Sequence, residues 1–128
     1  MKVCSLYSMV KRSNIKIISP VSYLNFLRLL DNAKKVLTDS GGVQKQAYLL
    51  KTPCITLREN TEWIETIEDG WNVLVGADKK KIIKMVNEFE PKGKQRNVFG
   101  DGKASENIIN FLDAFLDNEE KSKLSEEI

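Results

Sequence analysis

Val36-Leu37-Thr38-Asp39-Ser40-Gly41-Gly42-Val43-Gln44 is the stretch whose reading decides the fold. Lys35 to Thr38 is a short apolar run and reads as a strand, and Asp39-Ser40-Gly41-Gly42 ends it. Val43 to Leu50 then has the composition of a helix, and Pro53 to Leu57 returns to a β-rich run. A strand, a glycine turn, a helix and a second strand make one βαβ unit, which requires a parallel sheet and a right-handed crossover.

The pattern extends outward in both directions. Upstream, Ile15-Lys16-Ile17-Ile18 is β-branched and stopped by Ser19-Pro20, which predicts a further strand. Val21 to Asn32 carries Tyr23, Leu24, Leu27 and Leu30 on one face and predicts an amphipathic helix. Downstream, Thr61 to Glu65 reads as a short helix with Thr61 as its cap. Asp69-Gly70 reads as a turn into a strand at Asn72 to Val75. Asp78 is placed to cap a helix with Ile82, Ile83, Val86 and Phe89 on its apolar face. After a loop from Pro91 to Gly102, Ala104 to Leu116 predicts a last helix that buries Ile108, Ile109, Leu112, Phe115 and Leu116. A charged tail follows from Asp117. The expected fold class is α/β, a small Rossmann-like three-layer sandwich built on a parallel sheet.

Composition narrows the function. The chain has 128 residues, 41% hydrophobic and 30% charged, as expected of a globular domain. Twenty basic against eighteen acidic residues give a net charge of +2, and the lysines alternate with carboxylates. No basic stripe forms, so nucleic acid is not an expected partner. No apolar run approaches a membrane span, and the first residues are too polar for a signal peptide, so no membrane partner is expected. Cys4 and Cys54 have neither metal-ligand nor framework spacing. No metal or cofactor is therefore expected, and the cysteine usage fits a reducing, cytoplasmic setting. Histidine, the commonest acid–base side chain near neutral pH, is absent from the 128 residues.

Ligands of open parallel sheets bind beyond the carboxyl ends of the strands. Ser40, Gly41 and Gly42 stand at such a point, just before a helix, where unpaired N–H groups and the helix dipole attract anions. Glycine lets a phosphate approach the backbone, and Ser40 adds a hydroxyl donor. The motif by itself favours a plain strand–helix turn over a phosphate site, since it matches neither a Walker loop nor a dinucleotide fingerprint.

Several segments taken together resolve that choice. Leu37 to Gln44, Pro53 to Arg58 and Thr61-Glu62-Trp63-Ile64-Glu65 resemble the non-hydrolysing UDP-N-acetylglucosamine 2-epimerases. Ser19 to Leu27, Val75-Gly76-Ala77-Asp78 and Gly100 to Ser105 are similar to the same family in register, from about Ile15 to Leu116. The resemblance implies one lobe, the C-terminal one, of the two-lobed GT-B architecture, with UDP or UDP-GlcNAc as ligand. It implies phosphate binding at Ser40, Gly41 and Gly42, ribose binding at Gln46, and uracil binding near Val21 and Phe26. Arg58 and Glu62 are supporting residues. The family's ribose-binding position carries glutamate, so Gln46 offers one acceptor oxygen where two are usual, and an exposed polar helix position is the other reading of it. Phe26 is equally readable as core, Trp63 as cleft contact or packed anchor, and Arg58 as phosphate ligand or ion-pair partner of Glu62 or Glu65.

The reaction attributed to the family is elimination of UDP followed by re-addition after protonation on the opposite face. Its acid–base groups lie outside the matched segments, so no catalytic residue is expected among these 128. The implied organisation is a lead-in at 1–14, a UDP-binding domain at 15–116 and a charged tail at 117–128. The implied partners are a polypeptide supplying the N-terminal lobe in trans, and a second copy of the chain through apolar surface left bare. Two other readings stay open: a non-catalytic module that binds UDP weakly or self-associates, and the donor lobe of a UDP-sugar glycosyltransferase.

Overall fold

A computed structural model describes residues 14–126, with side chains through residue 116. The chain divides into two compact units, Met1–Gly93 and Lys94–Ile128.

The first unit carries the sheet. Its elements are α1 (Tyr23–Asp31), β1 (Val36–Thr38), α2 (Gly41–Leu49), β2 (Cys54–Thr56), α3 (Ile64–Glu68), β3 (Asn72–Leu74) and α4 (Lys79–Glu88). The strands run parallel in the order β1-β2-β3, with Leu37 beside Ile55 and Ile55 beside Val73. All three residues of the central strand are buried. Ile55, with no exposed surface, contributes about 1.5–3 kcal/mol by its burial. Leu30, Ala47 and Cys54 form the core of the α1–α2 layer, with Phe26, Val36, Val43 and Leu50 packed on them. Burial pushes the Cys54 thiol up to about 11, against a smaller opposing hydrogen bond from Thr56. That suits a packing group and not a nucleophile.

Several boundaries differ from the sequence-based expectation; the short helix expected at Thr61 to Glu65 runs from Ile64 to Glu68, with Trp63 and not Thr61 at its N-cap. Ile15 to Ile18 forms no strand, and Ile15, Ile17 and Ile18 stay about 60% exposed. β-branched residues favour a strand only where a neighbour completes the ladder, and here the sheet ends at β1. Helix α2 begins two residues before Val43. The Gln44 N–H donates to the Ser40 carbonyl at 3.2 Å and closes the first turn around both glycines.

The capping expectation at Asp78 is met: its Oδ1 accepts from the N–H groups of Lys80 and Lys81, at 2.8 and 3.1 Å. At the other end of α4, Lys35 Nζ donates to the Val86 carbonyl at 3.0 Å and pairs with Glu90 at 3.3 Å. A cation there meets the negative end of the helix.

The second unit is a loop followed by α5 (Ala104–Glu126). The helix runs on through the segment expected as a charged tail. Ile108, Ile109, Leu112, Phe115 and Leu116, expected to be buried, are each at least half exposed. Within its own unit this stripe has no second element to pack against.

Candidate functional site

Three loops leave the carboxyl ends of the three strands. The first is the turn Asp39–Ser40 into α2, the second runs from Leu57 to Trp63, and the third from Val75 to Asp78. Parallel strands place all three at one end of the sheet, which is where the glycine motif was expected to act.

At the first loop, Ser40 is the N-cap of α2 in an extended conformation. Its N–H is taken by Thr38 Oγ1 at 3.0 Å, and its hydroxyl makes no capping bond to the helix. The N–H groups of Gly41, Gly42 and Val43 have no acceptor within the helix by its geometry. The two glycines differ. A Cβ on Gly41 would come within 3.1 Å of Glu62 Oε2 and 3.6 Å of Trp63 Nε1, so a larger residue there would press on the Glu62 side chain. A side chain on Gly42 would meet only Ser40 Oγ, at 4.0 Å. Among the described residues, none crowds a Cβ at Gly42.

The second loop braces the turn. Trp63 Nε1 donates to the Gly41 carbonyl at 2.8 Å, and Lys45 Nζ lies 4.8 Å from the centre of the indole. Of the two readings of Trp63, the packed anchor describes its position. Arg58 grips Glu62 with both nitrogens, at 3.2 and 3.0 Å. The Glu62 carboxyl is held below the usual carboxylate range, first by its own backbone N–H and then by Arg58. Glu65 is not the partner of Arg58, and its Oε2 is buried without a hydrogen bond among the described residues.

The remaining predicted residues lie around α1. Gln46 Nε2 donates to the Tyr23 hydroxyl at a long 3.4 Å, which brings the start of α1 to the ribose candidate. Val21 is exposed and lines an open concavity of about 720 Å³ beside Ser19, Pro20 and Arg28. Phe26 is half-buried against the core cluster. The structure thus gathers Ser40, Gly41, Arg58 and Glu62 around one turn, with Gln46 along the same helix. Phe26 stands on a different helix, α1, and Val21 lies just before that helix. Among the described residues no group of acidic, cysteine or histidine side chains is placed to hold a metal ion.

The family profile described as UDP-N-acetylglucosamine 2-epimerase matches residues 2–113. The chain belongs to the UDP-N-acetylglucosamine 2-epimerase family. It is 53% identical over 109 residues to a UDP-N-acetylglucosamine 2-epimerase homolog of Methanococcus maripaludis, covering 84% of this chain and 30% of the relative. A UDP-2,3-diacetamido-2,3-dideoxy-D-glucuronate 2-epimerase of Pseudomonas aeruginosa is 42% identical over 100 residues, covering 77% of this chain and 28% of that relative. The crystal structure of Methanocaldococcus jannaschii UDP-GlcNAc 2-epimerase in complex with UDP-GlcNAc and UDP superposes with a TM-score of 0.77 at 50% identity. That match covers 88% of this chain and 32% of the other. The fold is therefore the Rossmann-like α/β type with a parallel sheet expected from the sequence, equivalent to one lobe of the GT-B architecture, and the chain spans about a third of the length of the relatives it matches.

Sequence reasoning did not anticipate Tyr23 as the neighbour of Gln46, or Lys45 over Trp63. Each contact joins residues at least 18 positions apart, and no local pattern signals it.

Proposed function

We propose that this chain binds UDP or UDP-GlcNAc at the glycine turn as the nucleotide-holding part of a UDP-GlcNAc 2-epimerase. Ser40, Gly41 and Gly42 take the two phosphates, Gln46 a ribose hydroxyl, and Val21 and Phe26, just before and within α1, the uracil. Arg58 and Glu62 support the turn. The observation that carries this reading is the contrast between the glycines: a side chain on Gly42 would meet nothing closer than 4.0 Å, so the space beside it is open to a ligand. The unsatisfied N–H groups of the same turn are the matching donors. The Methanocaldococcus jannaschii enzyme solved with UDP-GlcNAc and UDP supports the choice of ligand.

In the epimerisation of UDP-GlcNAc to UDP-ManNAc, charge develops on the departing diphosphate, and preorganised donors stabilise it as it forms. The proton transfers need other groups. We assign them to the other lobe of the epimerase, outside the third of its length that these 128 residues match. On this reading the 128 residues alone bind and do not turn over. A cytoplasmic setting is part of the proposal, in keeping with a free, buried Cys54.

Titration calorimetry of the 128-residue chain with UDP tests the assignment, with Gly42→Asp as control. The variant puts a carboxylate into the open space. Saturable binding that the variant abolishes is expected, whereas no binding at millimolar UDP would overturn the reading. The exposed isoleucines at 15, 17 and 18 favour a second reading, a self-associating module without catalysis. That reading predicts a dimer by light scattering and no epimerisation when the other lobe is added.

A further inference from the structure

Beneath the glycine turn lies a cluster of buried polar side chains that nucleotide contacts do not explain. Its centre is Asn72 on β3, only 3% exposed. Asn72 Nδ2 donates to Gln44 Oε1 at 3.2 Å and to Thr66 Oγ1 at 3.1 Å. Its Oδ1 accepts from Thr56 Oγ1 at 2.7 Å. Gln44 Oε1 takes a second bond, from Thr61 Oγ1 at 2.5 Å. Thr61 Oγ1 in turn accepts from the Trp63 N–H at 3.1 Å, and the Trp63 indole returns to the Gly41 carbonyl. Strands β2 and β3, helix α3 and the second loop are thereby tied to the first turn of α2.

Gln44 carries a stability penalty of its own. The side chain is completely buried, and its Nε2 has no hydrogen-bond partner among the described residues. A buried donor without an acceptor is a penalty that an apolar side chain of equal length avoids. What Gln44 contributes is Oε1, an acceptor shared by donors from two other parts of the fold. Buried networks of this kind favour one arrangement of the elements they join. A turn held in one arrangement presents its N–H groups without reorganising when an anion arrives.

We infer that Gln44, Asn72 and Thr61 are positioning residues for the diphosphate, presetting the N–H groups of Gly41, Gly42 and Val43 without touching the ligand themselves. The inference rests on the proposal that this turn binds UDP. It assigns the network a role in preferring the phosphorylated ligand over the bare nucleoside.

The test is an NMR titration of the 128-residue chain with UDP and, separately, with uridine, alongside the ligand-free melting temperature. The variants are Thr61→Val, which keeps shape and deletes the hydroxyl, Thr61→Ser, which restores it, and Gln44→Met. Thr61→Val and Gln44→Met should weaken UDP about tenfold, the scale of losing a supporting hydrogen bond behind a ligand contact. Uridine affinity should stay within about twofold, and Thr61→Ser should recover most of the UDP affinity. Thr61 is only half-buried, so its variants decide the matter should Gln44→Met fail to fold. Equal losses for UDP and uridine that track the melting temperature would overturn the inference, as would unchanged UDP affinity in Thr61→Val. Absence of UDP binding by the unmodified chain would instead sink the nucleotide reading, and this inference with it.

Discussion

The two ends of the proposed ligand site are built differently. The phosphate end is braced from two sides, by the Trp63 indole on the Gly41 carbonyl and by Gln44 bonded to Thr61 and Asn72. The nucleoside end has one hydrogen bond of 3.4 Å between Gln46 and Tyr23, and Tyr23 is 62% exposed. A braced set of donors binds without an ordering penalty, whereas a loose one must be organised by the ligand. Affinity should therefore reside mainly in the diphosphate, with the nucleoside adding selectivity at a lower energy.

The largest expected effect removes the open space itself. Gly42→Asp should weaken UDP by about 100-fold or more, the scale set by losing preorganised donors to a developing anion. A calorimetric loss below tenfold would put the diphosphate elsewhere. Next, Trp63→Ala deletes the bond to the Gly41 carbonyl, worth about 1 kcal/mol and hence about fivefold in UDP affinity. If uridine suffers as much as UDP in that variant, the contrast between the two ends fails.

Smaller changes sharpen the nucleoside end. Gln46→Glu supplies a second acceptor for the ribose hydroxyls and should tighten UDP by about three- to fivefold. The same variant should leave 2′,3′-dideoxy-UDP unaffected, since that ligand has no hydroxyl to donate. The smallest effect is acid-dependent. Glu62 has its carboxyl held below the ordinary value of 4.5, first by its own N–H and then by Arg58. A lowered folded value stabilises above the ordinary value and is lost as pH falls through the folded one. Glu62 is fully exposed, so the slope is slight. Melting temperatures between about pH 5 and about pH 3 should fall a little less in Glu62→Gln than in the unmodified chain.

What the sequence revealed depended on how local the cause was. The strand–turn–helix at Val36 to Leu50 was legible because period and glycine placement are local. So was the Asp78 cap, whose bonds reach no further than Lys81. Ile15 to Ile18 misled because a strand needs a neighbour that spacing does not report. The α5 stripe misled likewise, since its period shows which face is apolar and not whether anything covers it. The start of α2 was misplaced because glycine propensity argues against a helical Gly41, while the closure of its first turn depends on backbone geometry. Asn72 was invisible as a site residue, because its partners Gln44, Thr56 and Thr66 come from three other elements. Its one sequence signal was a polar residue at the start of an apolar strand, which carries a penalty when buried unless it is bonded.

The most direct test of the central claim is an amide NMR titration of the isotopically labelled chain with UDP. Gly41, Gly42 and Val43 should show the largest downfield shifts, as their N–H groups take phosphate oxygens, with Gln46 and Tyr23 moving less. Shifts confined to α1 with the glycine amides unmoved would contradict it.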